Sequence, residues 1–348
     1  MTKSLNPPII FQCKRDLTMS PVIKTHQLTK TYNAFKAVDN LTINVDKGEI
    51  FGLLGPNGAG KTTTVSMLCT ILKPTSGTAT VDGYDIVKES GKVRKSIGIV
   101  FQDPSIDDRL TGRENLLMHA NLYSVPTSIQ RDRIEKILKL VELEDRADDL
   151  LRTYSGGMRR RLEIGRGLIH QPKVLFLDEP TVGLDPQTRD HIWRYIKDLK
   201  DANEVTVVLT THYMDEADRL SDKIAIMDHG KIIVLDTPPN LKETLEGDII
   251  AIKSNDNKTL KNLLTNWLNF TNQHLEKDTL KVTVPNGKTV MPRIVELANQ
   301  NNLYIESIVL HEPNLEDVFL HYTGGSIRDD PTKETHGLLS TIHRRAIH

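Results

Sequence analysis

Four short apolar runs stand out along the chain: "IFGLL" from Ile50, "IGIVF" from Ile97, "VLFL" from Val174 and "VTVVL" from Val205. None alternates with polar residues. Runs of this length without alternation predict parallel strands buried on both faces. Each run ends in polar or glycine-rich sequence: Gly55 onward, Gln102, Asp178-Glu179, and Thr210-Thr211-His212. Open α/β sheets bind ligands at the carboxyl ends of their strands, so these four pieces are expected to converge on one edge.

From Val22 to about Leu245 strand-like and helix-like segments alternate, and "DKGE", "KPTSG" and "DHGK" mark turns. Between Gln102 and Ile169 the strand signal fades. "ENLLMHANLYS" and "SIQRDRIEKILKLVE" have helical spacing, which predicts an inserted helical subdomain over about 103–170. From 246 the pattern changes to "DIIAIKS", "TLKNLLTNWLNF", "LKVTVP", "MPRIVELANQ" and "LYIESIVLHE", a small C-terminal α+β domain over 246–325. "NLEDVFLHYTGG" is expected to close that domain, with Leu315, Val318, Phe319 and Tyr322 on one helical face. Residues 1–21 read as an N-terminal tail, with Met19 as an alternative start, and 326–348 as a polar tail.

Composition adds exclusions. Hydrophobic residues make up 38% and charged residues 26% of 348, ordinary values for a globular protein long enough for two domains. A net charge of -1 gives no overall basic field, so no nucleic-acid partner is expected. The two cysteines, Cys13 and Cys69, make no disulfide framework and fit a reducing cytosol. No apolar run approaches the roughly 20 residues a membrane helix needs. Any membrane-spanning part must come from another chain.

The candidate chemistry begins at "GPNGAGKT", which fits G-x-x-x-x-G-K-[ST] without deviation. An apolar strand precedes it and the helical "TTTVSMLCTIL" follows, as a phosphate-binding loop requires. Its glycines leave backbone N–H groups free to close on phosphate oxygens. Lys61 adds a point charge for the β- and γ-phosphates, and Thr62 offers a hydroxyl to Mg²⁺. "VLFLDEP" supplies the partner: Asp178 for the Mg²⁺ shell and Glu179 as the base that orients and deprotonates the attacking water. Beside a P-loop, the pair is read as a site rather than as a solvated turn. Gln102 would ligand Mg²⁺ and sense that water. His212 would hydrogen-bond the γ-phosphate and position Glu179. Tyr32, ahead of the loop in "TKTYNAF", would stack on a nucleobase, or else pack on the sheet.

A second cradle lies in "YSGGMRRRLEIGRG". Ser155 suits a helix N-cap, Gly156 and Gly157 leave N–H groups accessible, and a helix begins near Met158. Met158, Leu162, Gly165 and Ile169 share one face, and Arg159, Arg160 and Arg161 read mostly as a solvated basic face.

In this order the motifs resemble the nucleotide-binding subunit of ABC transporters, over residues 22 to about 245. The resemblance rests on Tyr32, the Walker A "GPNGAGKTT", Gln102, the signature "YSGGM", the Walker B "VLFLDEP", the turn "VGLDP" with Asp185, and His212. It implies an α/β P-loop NTPase cassette that binds ATP and Mg²⁺. Nucleotide contacts would come from Tyr32, from Gly55, Pro56, Asn57, Gly58, Ala59, Gly60, Lys61, Thr62 and Thr63, and from Ser155, Gly156, Gly157 and Asp185. Catalysis would fall to Glu179, His212 and Gln102, and metal binding to Thr62, Gln102 and Asp178.

The family pairs two cassettes head to tail, so the resemblance implies that the signature of one copy closes on the γ-phosphate held by the other. A separate polytopic membrane subunit is implied as partner, gripped by the segment from Asp103 to Ser124, and so is a peripheral place on the cytoplasmic face of the cell membrane. In the signature Tyr154 stands for the usual Leu and Met158 for the usual Gln. With "SIDDRLTGRENL" and "LEDVFLHYTGG", that form is similar to drug-export ATPases of the daunorubicin-resistance type. The expected activity is ATP hydrolysis coupled to export. An importer ATPase is disfavoured by the C-terminal region. A DNA-repair relative is disfavoured by the short spacing from P-loop to signature, and a translation relative by the presence of one cassette.

Overall fold

The computed structural model describes residues 21–323 except 104, 204, 246, 269–272 and 277. Residues 1–20 of the predicted N-terminal tail, with Cys13, and the whole C-terminal tail lie outside the described residues.

The chain opens with antiparallel strands. β1 (Ile23–Tyr32) pairs with β2 (Phe35–Leu41) and with the short β3 (Asn44–Val45). After β4 (Ile50–Leu54) and α1 (Lys61–Leu68), β5 (Ser76–Val81) returns to pair with β1, and β6 (Tyr84–Asp85) pairs with β5. An alternation of strands and helices is therefore absent from the first part of the chain. β1 alternates buried and exposed residues only up to His26, breaks that pattern at Gln27, and joins β2 through a tight turn at Asn33, whose φ is 50°. Local hairpin pairing of this kind needs no crossover helix.

The central sheet comes next. α2 (Ser90–Ser96) leads into β7 (Ile97–Val100). Three helices follow, α3 (Gly112–Leu122), α4 (Thr127–Leu140) and α5 (Gly156–Leu168), before β8 (Val174–Asp178). Then come α6 (Pro186–Asn203), β9 (Thr206–Thr211), α7 (Met214–Leu220), β10 (Lys223–Asp228), β11 (Lys231–Asp236) and α8 (Pro238–Glu243). The strand order is β11-β10-β4-β9-β8-β7, with β10, β4, β9, β8 and β7 parallel and β11 antiparallel at the edge. The four apolar runs of the sequence are the adjacent strands β4, β9, β8 and β7.

Strand periodicity builds a core on each face. Leu175 and Leu177 of β8 join the core made with α3 to α6, whereas Val174 and Phe176 join the core made with α1 and the antiparallel sheet. Every residue of β4, β8 and β9 is buried, which is why these runs lack polar alternation.

The C-terminal region contains β12 (Asp248–Ser254), α9 (Asn257–Leu268), β13 (Gln273–Glu276), β14 (Thr279–Val284), α10 (Gly287–Gln300), β15 (Ile305–His311) and α11 (Leu315–Thr323). Its sheet runs β13-β14-β12-β15, all antiparallel. Ile250 and Ile252 of that sheet pack with Leu260 and Leu264 of α9 and Ile294 and Ala298 of α10.

α11 departs from expectation. Its face of Leu315, Val318 and Phe319 does not close the small sheet. It packs on Leu54, Ala217, Ile224, Ile226, Val234 and Leu241, at the edge of the central sheet beside α7 and α8. The helical period identifies an apolar face correctly but carries no information about which core receives it.

Candidate active site

The loop after β4 turns into α1 at Gly60, which occupies the N-cap with φ 104° and no side-chain cap. A Cβ there would lie 2.3 Å from the carbonyl oxygen of Ala37, so only glycine fits. The uncapped first turn of α1 leaves its N–H groups directed at the loop, a ready anion site. Lys61 is 4% exposed. Its Nζ donates to the carbonyls of Gly55 at 2.7 Å and Pro56 at 3.1 Å and lies 3.6 Å from Glu179 Oε1. Burial lowers its pKa, and the carboxylates of Glu179 and Asp178 oppose that effect.

The end of β8 meets this loop. Thr62 Oγ1 donates to Asp178 Oδ1 at 3.3 Å, and Thr210 Oγ1 at the end of β9 donates to the same oxygen. Burial raises the Asp178 pKa, opposed by those two hydroxyls. Glu179 sits next to it at φ 47°, its N–H donated to Thr210 O at 3.1 Å. His212 Nδ1 is 3.2 Å from Glu179 Oε1. Burial pushes the Glu179 carboxyl up, but the His212 hydrogen bond and the Lys61 charge outweigh it, and the net pKa lies below the usual value. Glu179 is therefore an ionised carboxylate at neutral pH, held by two basic groups.

Lys61, Thr62, Asp178, Glu179 and His212 thus form one cluster at the carboxyl ends of β4, β8 and β9, the ends of three of the four terminated runs. Gln102 does not join it. It is exposed in the bend after β7 and makes no hydrogen bond to the cluster. Tyr32 is half-buried at the end of β1, with Lys30 Nζ 5.2 Å from its ring centroid.

The second cradle stands apart within the chain. Ser155 caps α5 by accepting from Met158 N at 3.3 Å, and Ser155 and Gly156 are exposed. No hydrogen bond or ion pair joins Ser155, Gly156 or Gly157 to the cluster. Asp185 caps α6 through Thr188, at 3.0 Å to the N–H and 2.6 Å to the hydroxyl, and these bonds lower its pKa. A Cβ on Gly157 would come within 2.5 Å of Thr188 Cγ2, so the two turns pack together closely.

The roles of two residues at the site are missed by the sequence reading. Thr210 is the hydroxyl partner of Asp178. Arg160, read as part of a solvated basic face, is 7% exposed and bonded to the turn after β8. Its sequence signal is the alternating-charge series Arg160, Glu163 and Arg166 on one side of α5.

Residues 38–182 match the family described as ABC transporter, and 237–323 match the C-terminal domain of ATP-binding proteins like DrrA1-3. The chain is 41% identical over 317 residues to the daunorubicin/doxorubicin resistance ATP-binding protein DrrA of Streptomyces peucetius, covering 90% of this chain and 95% of that one. It is 36% identical over 312 residues to the linearmycin resistance ATP-binding protein LnrL of Bacillus subtilis (strain 168), covering 88% and 100%.

Among solved structures, cbiO1 of Clostridium perfringens, part of the ABC transporter complex cbiONQ, superposes with a TM-score of 0.61 at 28% identity, covering 72% of this chain and 96% of that one. The dimeric ATP-binding cassette MJ0796, in a post-hydrolysis state with ADP and Pi, gives 0.56 at 29% identity, covering 62% and 98%. The described residues include no helix long and apolar enough to cross a membrane. With P-loop, acidic strand end and His212 assembled on a cassette fold, the chain belongs to the ABC transporter family, as an ATP-hydrolysing subunit of the DrrA type.

Proposed function

We propose that this chain powers export of a small or amphiphilic molecule through a separate polytopic membrane subunit, by closing head to tail on a second copy of itself around two ATP molecules. One observation carries the pairing: the Lys61–Asp178–Glu179–His212 cluster is assembled within one chain, while the Ser155–Gly157 turn, exposed at Ser155 and Gly156, makes no hydrogen bond or ion pair to it. A second copy supplies the turn that this chain's own cluster lacks. The drug-resistance names of the relatives support the direction of transport.

In this reading the N–H groups after Gly55 cradle the phosphates with Lys61, and Tyr32 stacks on the base. Glu179, oriented by His212, takes the proton of the attacking water. Thr62 and Asp178 would hold Mg²⁺: their oxygens are 3.3 Å apart, and a donor set with a single carboxylate suits an ion carried in on nucleotide phosphates. That ion, when bound, neutralises charge on the β- and γ-phosphates. Gln102, on the bend after β7, would reach the ion as the bend between the helical segment and the sheet closes. We take the cassette as 22–245 and the accessory domain as 246–325, whose last helix, α11, packs on the cassette's core. The chain would sit on the cytoplasmic face of the membrane.

The test is light scattering on Glu179→Gln with and without MgATP. A monomer that becomes a dimer only with MgATP supports the reading. A protein that binds MgATP and stays monomeric, alone and in vesicles containing its membrane subunit, removes the shared site.

A further inference from the structure

α5 buries three charged residues on one side, Arg160, Glu163 and Arg166, at 7%, 2% and 6% exposure. Buried charge persists in a fold only when paired and hydrogen-bonded. Glu163 Oε1 accepts from Ser105 N at 2.9 Å, and Arg166 donates to the carbonyl and hydroxyl of Ser105, so both grip the segment after Gln102. Arg160 does something different. Its Nε donates to Pro180 O at 2.8 Å, and one terminal nitrogen donates to Asp178 O at 3.1 Å and Glu179 O at 3.2 Å. The other terminal nitrogen donates to Phe101 O at 2.6 Å and to Glu163 Oε2 at 3.1 Å.

Three successive carbonyls, those of 178, 179 and 180, therefore converge on one guanidinium. Consecutive carbonyls of extended chain point to opposite sides. They converge here because Glu179 is left-handed, at φ 47°. That conformation is uncommon for a residue with a long side chain and holds only where its surroundings enforce it. The planar fork of five N–H donors is the side chain able to collect this many carbonyls at once.

We infer that Arg160 is a positioning residue for hydrolysis: by gathering the carbonyls of 178–180 it holds Glu179 in the left-handed turn that aims its carboxylate at Lys61 and His212. The inference deepens the proposed function and rests on Glu179 being the base. Arg160 lies about one turn from the Ser155–Gly157 turn on the same helix. One rigid element thus joins the turn offered to the second copy's nucleotide to the base of this chain's own site. Arg160 also bonds the carbonyl just before Gln102, so movement of that segment reaches Glu179 through the same side chain.

The experiment compares steady-state ATP turnover and equilibrium MgATP binding of the full chain for Arg160→Gln, Arg160→Lys and Arg161→Gln. Arg161, whose guanidinium bonds Val141 O at 3.0 Å away from the site, controls for loss of an arginine from α5. Expected for Arg160→Gln is a kcat lower by about tenfold or more with MgATP affinity within about threefold of the parent, the split of a group that acts only on the chemical step. Arg160→Lys falls between, because an ammonium reaches fewer of the carbonyls, and Arg161→Gln turns over at the parent rate.

The inference is overturned if Arg160→Gln keeps the parent kcat, if it loses MgATP affinity in step with kcat, or if Arg161→Gln loses as much. Glu179→Gln run alongside separates the two readings. Normal turnover there removes the base itself, whereas an inactive Glu179→Gln with a normal Arg160→Gln removes only the role of Arg160.

Discussion

Truncating Phe319 to alanine tests where α11 belongs. Phe319 is 3% exposed and packs with Leu54, Ala217, Ile226 and Leu241 around the edge of the central sheet. A fully buried Phe→Ala change removes the ring's transfer energy and leaves a cavity, together about 3–4 kcal/mol. For a unit of this size, with a urea m-value of roughly 2–3 kcal/mol/M, the unfolding midpoint should fall by about 1–2 M. Amide hydrogen exchange read by mass spectrometry locates the loss. Protection should drop in α7, α8 and β10, the elements under α11, and persist in β12 and β14. α7 begins two residues after His212, so turnover should also decline while MgATP binding is kept. A midpoint shift below about 0.3 M, or a loss of protection confined to the small sheet, would refute the packing argument.

Three further predictions follow from the site and its surroundings. Gly60→Ala places a Cβ against the Ala37 carbonyl in a left-handed cap, so a fluorescent ATP analogue should no longer bind although the chain still folds. Thr210→Val leaves the buried Asp178 carboxylate short of a donor, which should lower stability by about 1–3 kcal/mol and raise the Mg²⁺ concentration needed for half-maximal turnover. Burial, helped by the charge of Arg166 and then by His170, lowers the His119 pKa to about 4. An unfolded imidazole protonates near pH 6.5, so between that value and about 4 the unfolded state binds more protons. Its share of stability is therefore complete above the upper value and is lost as pH falls through the window. Urea midpoints should drop on acidification, and less steeply in His119→Gln; equal slopes would count against the burial argument.

Much of this architecture is legible in the sequence because the central strands are buried on both faces. Runs such as "VLFLDEP" announce strand, terminus and acidic pair at once. The P-loop is legible for a related reason: Gly60 must be glycine to pass Ala37, and Lys61 and Thr62 follow at fixed offsets. The antiparallel strands of the first part are obscured because "IKTHQLTKTY" loses its alternation at Gln27, where two exposed residues are followed by two buried ones, a weak local signal resolved only by pairing across the sheet. The role of Arg160 is hidden for a different reason. An arginine in a basic triplet reads as solvated, and only the left-handed turn at Glu179 creates the carbonyl cluster that buries it. α11 shows the same limit: its apolar face is local information, while its docking on Leu54 and Ile226 is tertiary.

The shared site is tested most directly by mixing two inactive chains. Ser155→Arg spoils the turn offered to the other copy, and Lys61→Ala spoils the chain's own phosphate loop. Each alone should bind no productive pair and hydrolyse nothing. Mixed in equal amounts, half the dimers are heterodimers with one intact composite site, so turnover per chain should recover to about a quarter of the parent value for independent sites. Recovery of that order means that the two cradles complete each other across chains. No recovery, with both variants folded and Ser155→Arg still binding MgATP, would contradict the account.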